Sequence, residues 1–176
     1  LLLYGLAAVY SSKNSWQVLK FYLPAYFTAL GTMSSAATLG IALECAHKSP
    51  VLDKKVSDFS IPLFANIHLC GSVLTEVFFV CVVSRLLYGQ LPVLSTLVLF
   101  IFLLGVFAVG APGVPGGTVL ASLGIVASVL GFDDAGTAML IAIFALQDSF
   151  GTACNITGDG ALTLITSTFS KRHCKI

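Results

Sequence analysis

The feature that most limits the fold of this chain is a long stretch without charge. No acidic or basic side chain apart from Tyr88 occurs between Arg85 and Asp133. Such a stretch cannot face water, so it must lie in lipid or be covered by protein. Across all 176 residues, 57% are hydrophobic, 10% are charged and the mean hydropathy is +0.97. These values leave too few polar groups to cover a soluble globule and predict an integral membrane protein.

Several classes of function are disfavoured by the composition. A net charge of +1 with few clustered basic residues argues against nucleic acid as a partner. A disulfide framework and a zinc site are not indicated, because the cysteines are odd in number and lack paired spacing: Cys45, Cys70, Cys81, Cys154 and Cys174. A membrane enzyme using Asp148, Cys70 or His68 is the alternative from another class, but it lacks a nucleophile and base at recognisable spacing.

The start of the chain offers no targeting signal. Leu1 is not an initiator methionine, and no basic region with a small-residue cleavage site follows it. We therefore expect residues 1–10 to be the end of a transmembrane helix and the chain to be a piece of a longer protein.

The rest of the chain divides into four apolar segments, three of which are interrupted. Serine, glycine and proline clusters cannot continue a helix in lipid unless protein encloses them. The pattern predicts an all-α membrane protein with an interrupted segment at 16–47, a broken transmembrane helix at 55–88, a second interrupted segment at 92–132 and a last helix at 135–171.

Charge favours re-entrant hairpins over kinked single spans for the two interrupted segments. If 92–132 returns to the face it entered from, the basic loop at 48–55 and the basic tail at 171–175 share one side. Gly89-Gln90 and Asp133-Asp134 then share the other side, as the positive-inside tendency requires. Paired interrupted segments are the sequence sign of a binding site in transporters built from inverted repeats.

The last helix carries a polar stripe. Asp148, Thr152, Asn155 and Asp159 follow one another at i, i+4, i+7 and i+11, which brings them to one face of a helix. A carboxylate in a membrane helix costs about 2.5 to 3.5 kcal/mol unless it faces a wet cavity, a partner or a cation. The stripe therefore predicts a ligand path. The alternative is that these carboxylates only touch headgroups or pair with Arg85.

Four motifs in order resemble one family. Asn155-Ile156-Thr157-Gly158-Asp159 is similar to the N-[VI]-T-G-D signature of the dicarboxylate/amino acid:cation symporters, which include the glutamate-transporter homologues. Residues 34–39 resemble the serine-rich tip of that family's first hairpin, and 113–116 resemble the tip of its second. Phe59-Ser60-Ile61-Pro62-Leu63, with the break at 66–72, is similar to its unwound seventh helix. The resemblance covers the second half of a family member.

The resemblance implies a secondary active symporter coupled to sodium or protons, in a multi-pass protein of the cell membrane. It also implies a homotrimer, assembled through N-terminal scaffold helices that this chain lacks. Asp148 would hold a substrate ammonium, with Thr152 and Asn155 holding its α-carboxylate. The full substrate set implied is Ser34, Ser35, Ser72, Gly113, Val114, Asp148, Thr152 and Asn155.

Two sodium sites follow from the same resemblance. One uses the side chains of Asp159 and Asn155 with backbone carbonyls near Phe64 and His68. The other consists mostly of backbone carbonyls near Asn66 and at Ala108, Val109 and Ala111. No organic cofactor is implied.

Three of the departures from the family pattern bear on ion or substrate binding. The unwound helix usually reads N-M-D-G-T, and here His68 and Cys70 replace its asparagine and aspartate. A further sodium site is therefore in doubt, and an ion-conducting or non-transporting family member remains an alternative. His68 is expected to stand in for a cation or to make a structural contact, and Cys70 to be a small packing residue.

The third departure, Gly151, stands where carriers of acidic amino acids have an arginine. Since glycine cannot clamp a second carboxylate, a neutral amino acid is favoured over glutamate or aspartate.

Overall fold

A computed structural model describes residues 1–173 of the chain. Cys174 and Lys175, which were considered above, lie outside the described residues. The predicted all-helical fold is confirmed. The helices are α1 (Leu2–Ser11), α2 (Ser15–Phe21), α3 (Leu23–Thr32), α4 (Ser35–Lys48), α5 (Lys54–Ile67), α6 (Cys70–Leu87), α7 (Leu94–Ala108), α8 (Gly117–Leu130) and α9 (Asp134–His173).

Two stretches are long and apolar enough to cross a membrane. They are Lys54–Leu87, which contains α5 and α6, and Asp134–His173, which is α9. His68 and Leu69 interrupt the first stretch, inside the segment 66–72 where a break was predicted. Each arm of the two interrupted segments is shorter than a span, which needs about 20 residues.

Side chains cap the helices that lead to the site. Ser34 precedes α4, and its Oγ accepts a hydrogen bond from the backbone N–H of Ala37 at 3.1 Å. Asp53 precedes α5 and accepts from the N–H groups of Lys55 and Val56. These side chains satisfy amide groups that have no partner inside the helix, which fixes where each helix begins.

Helix α9 is the central element, and two apolar clusters form along it. Residues from α1 to α5 and from α9 make the first cluster, which includes Tyr22, Ile61 and Leu164. Residues from α6 to α9 make the second, which includes Val80, Leu104, Val126, Leu140 and Phe144. The polar stripe of α9 begins after the second cluster and runs alongside α9 residues of the first, such as Ile156. Buried apolar side chains therefore flank the stripe on the same helix.

Polar contacts bring distant parts of the chain together at each end. Lys171 Nζ lies 3.6 Å from Asp53 Oδ2, which joins the end of α9 to the start of α5. The hydroxyl of Tyr88 donates to Asp133 Oδ1 at 2.8 Å, which joins the end of α6 to the start of α9. The chain therefore leaves for α7 and returns from α8 at the same end of the molecule.

A large apolar surface is exposed on the described part of the chain. Leu74, Phe78, Val98 and Phe102 are each more than half exposed, and many other large hydrophobic side chains share this property. An apolar surface of this extent has to be covered by lipid or by other helices.

Candidate substrate and cation site

The polar stripe of α9 is buried along its whole length. Asp148, Thr152, Asn155 and Asp159 are between 0% and 3% exposed. The stripe faces the break between α5 and α6 and the tips of the interrupted segments. Arg85 does not pair with it, because the guanidinium donates to the carbonyl of Gly89 instead. The alternative that these carboxylates only touch headgroups or Arg85 is therefore excluded.

Asp148 is held by two separate elements. The hydroxyl of Ser72 in α6 donates to Asp148 Oδ1 at 3.0 Å. The backbone N–H of Gly116, which precedes α8, donates to Asp148 Oδ2 at 3.0 Å. The Gly116 amide could not be predicted, since a backbone donor leaves no residue-type signal except the local richness in glycine.

Asn155 caps the beginning of α6. Its Oδ1 accepts from the N–H of Gly71 at 2.7 Å and from that of Ser72 at 3.3 Å, while its Nδ2 donates to Ser72 Oγ at 2.9 Å. The first N–H groups of a helix have no partner inside it, so a carboxamide from α9 satisfies them here. The break in the α5–α6 stretch is thereby fixed to the stripe.

The two tips contact each other directly. Ser34 Oγ donates to the carbonyl of Gly113 at 2.7 Å, and the N–H of Ala36 donates to the same oxygen at 3.2 Å. The tips of the two interrupted segments, 33–36 and 112–116, therefore close over Asp148 from opposite sides. Ser34, predicted as a substrate residue, joins the tips rather than lining the space between them.

A small cavity of about 10 Å³ remains under the tips. It is lined by the other seven predicted substrate residues together with Met33, Leu69, Pro112 and Thr118. This volume is about that of one water-sized probe, so an amino acid cannot enter while the tips touch. Thr118 was missed because it stands in no motif, and Leu69 because the motif at 68–72 drew attention to its polar positions. A larger concavity of about 460 Å³ lies elsewhere, between the loops at 88–93 and 128–131, and has no charged lining residue.

Gly151 lies against the backbone of α6. A β-carbon at this position would be 2.9 Å from the Cα of Ser72 and 3.1 Å from its nitrogen. Real β-carbons essentially never come this close to another atom, so the backbones of α6 and α9 use glycine to approach each other. Not only is an arginine absent here, but the space for a longer side chain is filled.

Asp159 and His68 are brought together, as predicted, but in a different arrangement from a shared ion site. Imidazole Nδ1 lies 2.8 Å from Asp159 Oδ1, and the carboxylate is fully buried. Asn155, the other predicted side-chain ligand, directs its carboxamide to α6. The arrangement does not fit the predicted sodium site, because a hard cation needs several oxygen atoms around it and a ring N–H donor occupies one of the carboxylate oxygens.

The second predicted cation site involves the end of α7. Ala108 and Ala111 are buried and pack with Leu69, which adjoins His68 in the break. The carbonyl of Ala108 accepts from the N–H of Ala111 at 3.1 Å, and Val109 is exposed. Asn66 directs its side chain back to the carbonyl of Pro62 at 2.8 Å. A ligand role for this region therefore rests on backbone oxygens near the helix break, which is what the resemblance implies.

Two further side chains lie in α6 near the site. Glu76 is fully buried and accepts a hydrogen bond from Ser122 of α8. Cys70 is exposed in the described part of the chain, so the expectation of a packing residue is wrong there.

Together these features define a class of protein. An apolar helical chain encloses a carboxylate-bearing stripe beneath two short, contacting, serine- and glycine-rich tips, and a broken helix completes the enclosure. This is the arrangement of a small-molecule site in a membrane transporter.

Comparison with known proteins identifies the family. The model of the sodium:dicarboxylate symporter family matches residues 1–169, and the chain belongs to that family. Human excitatory amino acid transporter 1 is 31% identical over 168 residues, which are 93% of this chain and 30% of that protein. Bovine excitatory amino acid transporter 3 is 33% identical over 165 residues, 92% of this chain and 30% of that protein.

The salamander Ambystoma tigrinum provides a further relative, an excitatory amino acid transporter 1 that is 32% identical over 152 residues. This match covers 84% of the chain and 27% of the relative. The chain thus spans about a third or less of the length of the relatives it matches. The family and these relatives are transporters and not enzymes, so the interpretation as a membrane enzyme is set aside.

Proposed function

We propose that this chain forms the substrate-carrying part of a cation-coupled symporter for a neutral amino acid in the cell membrane. The observation that carries the proposal is the pair of hydrogen bonds that Asp148 accepts, one from the Ser72 hydroxyl and one from the Gly116 amide. Both donors would be exchanged for a substrate ammonium when the tip at 112–116 moves away. Thr152 and Asn155, one and two turns further along α9, would hold the substrate carboxylate.

The proposed path of the substrate is controlled by the two tips. With Ser34 bonded to Gly113, the enclosed space of about 10 Å³ admits no amino acid. Loading therefore requires the second interrupted segment to swing out and then to close over the substrate, which excludes water from the site. Ser35, Gly113 and Val114 would contact the substrate in the closed, loaded state.

The re-entrant course of 16–47 and 92–132 is part of the proposal. The Tyr88–Asp133 contact supports it, because the two ends of the second segment meet at one end of the molecule. The Lys171–Asp53 contact places basic residues 54, 55 and 171 together at the other end. The exposed apolar surface would then face lipid and the scaffold helices, through which we propose that the protein assembles as a homotrimer.

The substrate class is inferred from charge. In an enclosed site a second carboxylate would need a cationic partner, because an unpaired buried charge costs several kcal/mol. The stripe offers no cation, and a side chain at position 151 would collide with Ser72. The arginine that the family resemblance implies for carriers of acidic amino acids is replaced here by Gly151, which cannot supply that partner.

Competition binding to the full-length protein tests the proposal. Unlabelled serine, alanine, aspartate and succinate are each tested as competitors of radiolabelled serine, once in sodium salt and once in choline salt. We expect the neutral amino acids to bind best, and Asp148→Asn to lose binding while keeping the wild-type melting temperature within a few degrees. Aspartate or succinate binding at least tenfold more tightly, about 1.4 kcal/mol, would contradict the substrate class.

Uptake into proteoliposomes separates this function from the alternative of a non-transporting or ion-conducting family member. That alternative is favoured by the replacement of the family's aspartate and asparagine with Cys70 and His68. Accumulation of labelled serine driven by a sodium or proton gradient supports symport. Current without accumulation supports a conducting protein.

A further inference from the structure

His68 and Asp159 form a side-chain contact inside the protein that the surrounding fold holds in place. His68 lies in the two-residue break between α5 and α6, where the chain leaves the helix and the ring can reach α9. Its Nδ1 is 2.8 Å from Asp159 Oδ1, and the two side chains are 12% and 0% exposed. A ring at this position donates an N–H to the carboxylate whether or not its other nitrogen is protonated.

The residues next to Asp159 leave room for the His68 ring. A β-carbon at Gly158 would collide with Cε1 of the imidazole, so only glycine leaves room for the ring. On the other side of Asp159 in the chain, a β-carbon at Gly160 would come to 3.0 Å from the Tyr22 ring and from the Tyr4 hydroxyl. Tyr4 is itself fixed, because its hydroxyl donates to the carbonyl of Thr157 at 2.8 Å. Aromatic rings and glycines thus hold the imidazole and the carboxylate together.

The carboxamide oxygen that was predicted to share a cation with Asp159 is directed elsewhere. Asn155 uses its carboxamide oxygen for the N–H groups of Gly71 and Ser72. Asp159 Oδ2 and His68 Nε2 have no hydrogen-bond partner among residues 1–173. The one free carboxylate oxygen therefore lies beside a ring that presents nitrogen and carbon atoms, which are poor surroundings for sodium.

We infer that the His68 imidazole replaces a coupling cation at Asp159, so that sodium does not bind to this carboxylate. The inference rests on the proposed function, because it removes one ion from the coupling of the same transporter. The donor is tethered to the polypeptide and travels with the site. It therefore satisfies Asp159 without drawing on the ion gradient, and any coupling ion must bind elsewhere, for example at the backbone oxygens near Ala108.

Equilibrium binding of ²²Na⁺ to the purified full-length protein, at constant ionic strength set with choline, tests the inference without requiring a known substrate. His68→Asn removes the ring and supplies the amide that the family pattern has at this position. We expect this variant to bind one more sodium ion per protomer than the wild type. The double variant His68→Asn with Asp159→Asn should return to the wild-type number.

Asp159→Asn alone provides the second arm if His68→Asn does not fold. An asparagine oxygen at 159 still accepts from His68, so this variant preserves the contact while removing the carboxylate. We expect it to bind the same number of sodium ions as the wild type. Loss of a sodium ion in Asp159→Asn, or no gain in His68→Asn, overturns the inference. Failure of serine to bind would overturn the proposed function and leave these sodium counts interpretable.

Discussion

The two carboxylates of the α9 stripe have opposite kinds of surroundings. Asp148 accepts hydrogen bonds from two elements that can separate, the start of α6 and the tip before α8. Asp159, three turns along the same helix, is hydrogen-bonded to the His68 ring, which packs against Gly158. Residue type and burial are the same at the two positions, so the difference lies in what can move away from each carboxylate.

This difference distinguishes a carboxylate that exchanges its hydrogen-bond donors for a ligand from a carboxylate that keeps one permanent partner. A group that must release a ligand in each cycle needs donors whose loss is offset by the incoming ligand, as at Asp148. A carboxylate that only has to be tolerated in the membrane needs a permanent partner, as at Asp159. The same side chain can therefore serve binding or packing, depending on which neighbouring elements supply its partners.

The largest effect is expected at the close approach of α6 and α9 near Asp148. Gly151→Ala would place a β-carbon 2.9 Å from the Cα of Ser72, which is backbone and cannot rotate away. We expect the free energy of unfolding to fall by about 3 kcal/mol and serine binding to be lost. Thermal melts in detergent measure the first effect.

Gly124→Ala in α8 is the matched control for this substitution, since a β-carbon there meets nothing within 4 Å. It should be neutral or stabilising by up to about 1 kcal/mol, because alanine is the better helix former. Equal losses at positions 151 and 124 would show that the helices do not approach as closely as described.

Much of this architecture could be predicted from the sequence, because it depends on local patterns. The break at 66–72, the interruptions at 31–36 and 110–117 and the polar stripe all follow from residue types that oppose helix formation or occur at helical spacing. Burial of the stripe followed from the cost of charge in lipid. Seven of the eight predicted substrate residues accordingly line one cavity.

The partners of each carboxylate could not be predicted, because they depend on distances between segments far apart in the chain. His68 and Asp159 are separated by 91 positions, and no spacing rule relates them. The orientation of Asn155 depends on the exact position of the α6 start, and the Gly116 donor is backbone. Ser34 was assigned to the substrate because motif matching does not distinguish a residue that lines a cavity from one that closes it.

Ser72→Ala should have the next largest effect and sharpens the comparison of the two regions. The Ser72 hydroxyl donates to Asp148 and accepts from Asn155, so its removal leaves two buried polar groups short of a partner. We expect a loss of about 2 kcal/mol in unfolding free energy and a fall in serine affinity.

Ser60→Ala, near the Asp159 end, removes a single buried bond of 2.9 Å to Thr163 and serves as the control. It should cost about 1 kcal/mol and leave serine affinity unchanged. If both variants weaken serine binding equally, the stripe acts as a unit and the contrast drawn between its two ends is wrong.

Ser34→Ala tests whether the Asp148 region opens. Losing the bond to the Gly113 carbonyl should favour separation of the tips by about 1 kcal/mol, or about fivefold in population. A cysteine introduced at the buried position Thr118, in a chain cleared of its own cysteines, should then react about fivefold faster with a water-soluble maleimide.

The same serine caps α4, so the loss of a cap needs its own control. Asn14→Ala removes a cap at α2, where the side chain accepts from the N–H of Trp16, and has no contact with either tip. It should leave the reaction rate at position 118 unchanged. An unchanged rate in Ser34→Ala would mean that the tips are held by other contacts.

The smallest effect is expected at Asp53, an aspartate outside the membrane-spanning helices. It tests how little an aspartate contributes to the free energy of unfolding when water reaches it. Hydrogen bonds from the Val56 and Lys55 amides and the charge of Lys171 hold the pKa of Asp53 below its usual value, although partial burial opposes them. Asp53→Ala should lower the unfolding free energy by about 1 kcal/mol through loss of the cap, and Asp53→Asn, which keeps an acceptor, by a few tenths.

The sign of the pH dependence follows from the lowered pKa. The charge-dependent part of the stabilisation is fully present above the unfolded-state pKa of about 3.9 and is lost as the pH falls through the lower folded-state pKa. The difference in melting temperature between wild type and Asp53→Asn should therefore be constant near neutral pH and disappear in acid. A difference that persists in acid would show that the effect of Asp53 does not depend on its charge. A difference as large as that of Ser72→Ala would show that an exposed aspartate here contributes as much as a buried one, so that the contrast between carboxylates would not depend on their surroundings.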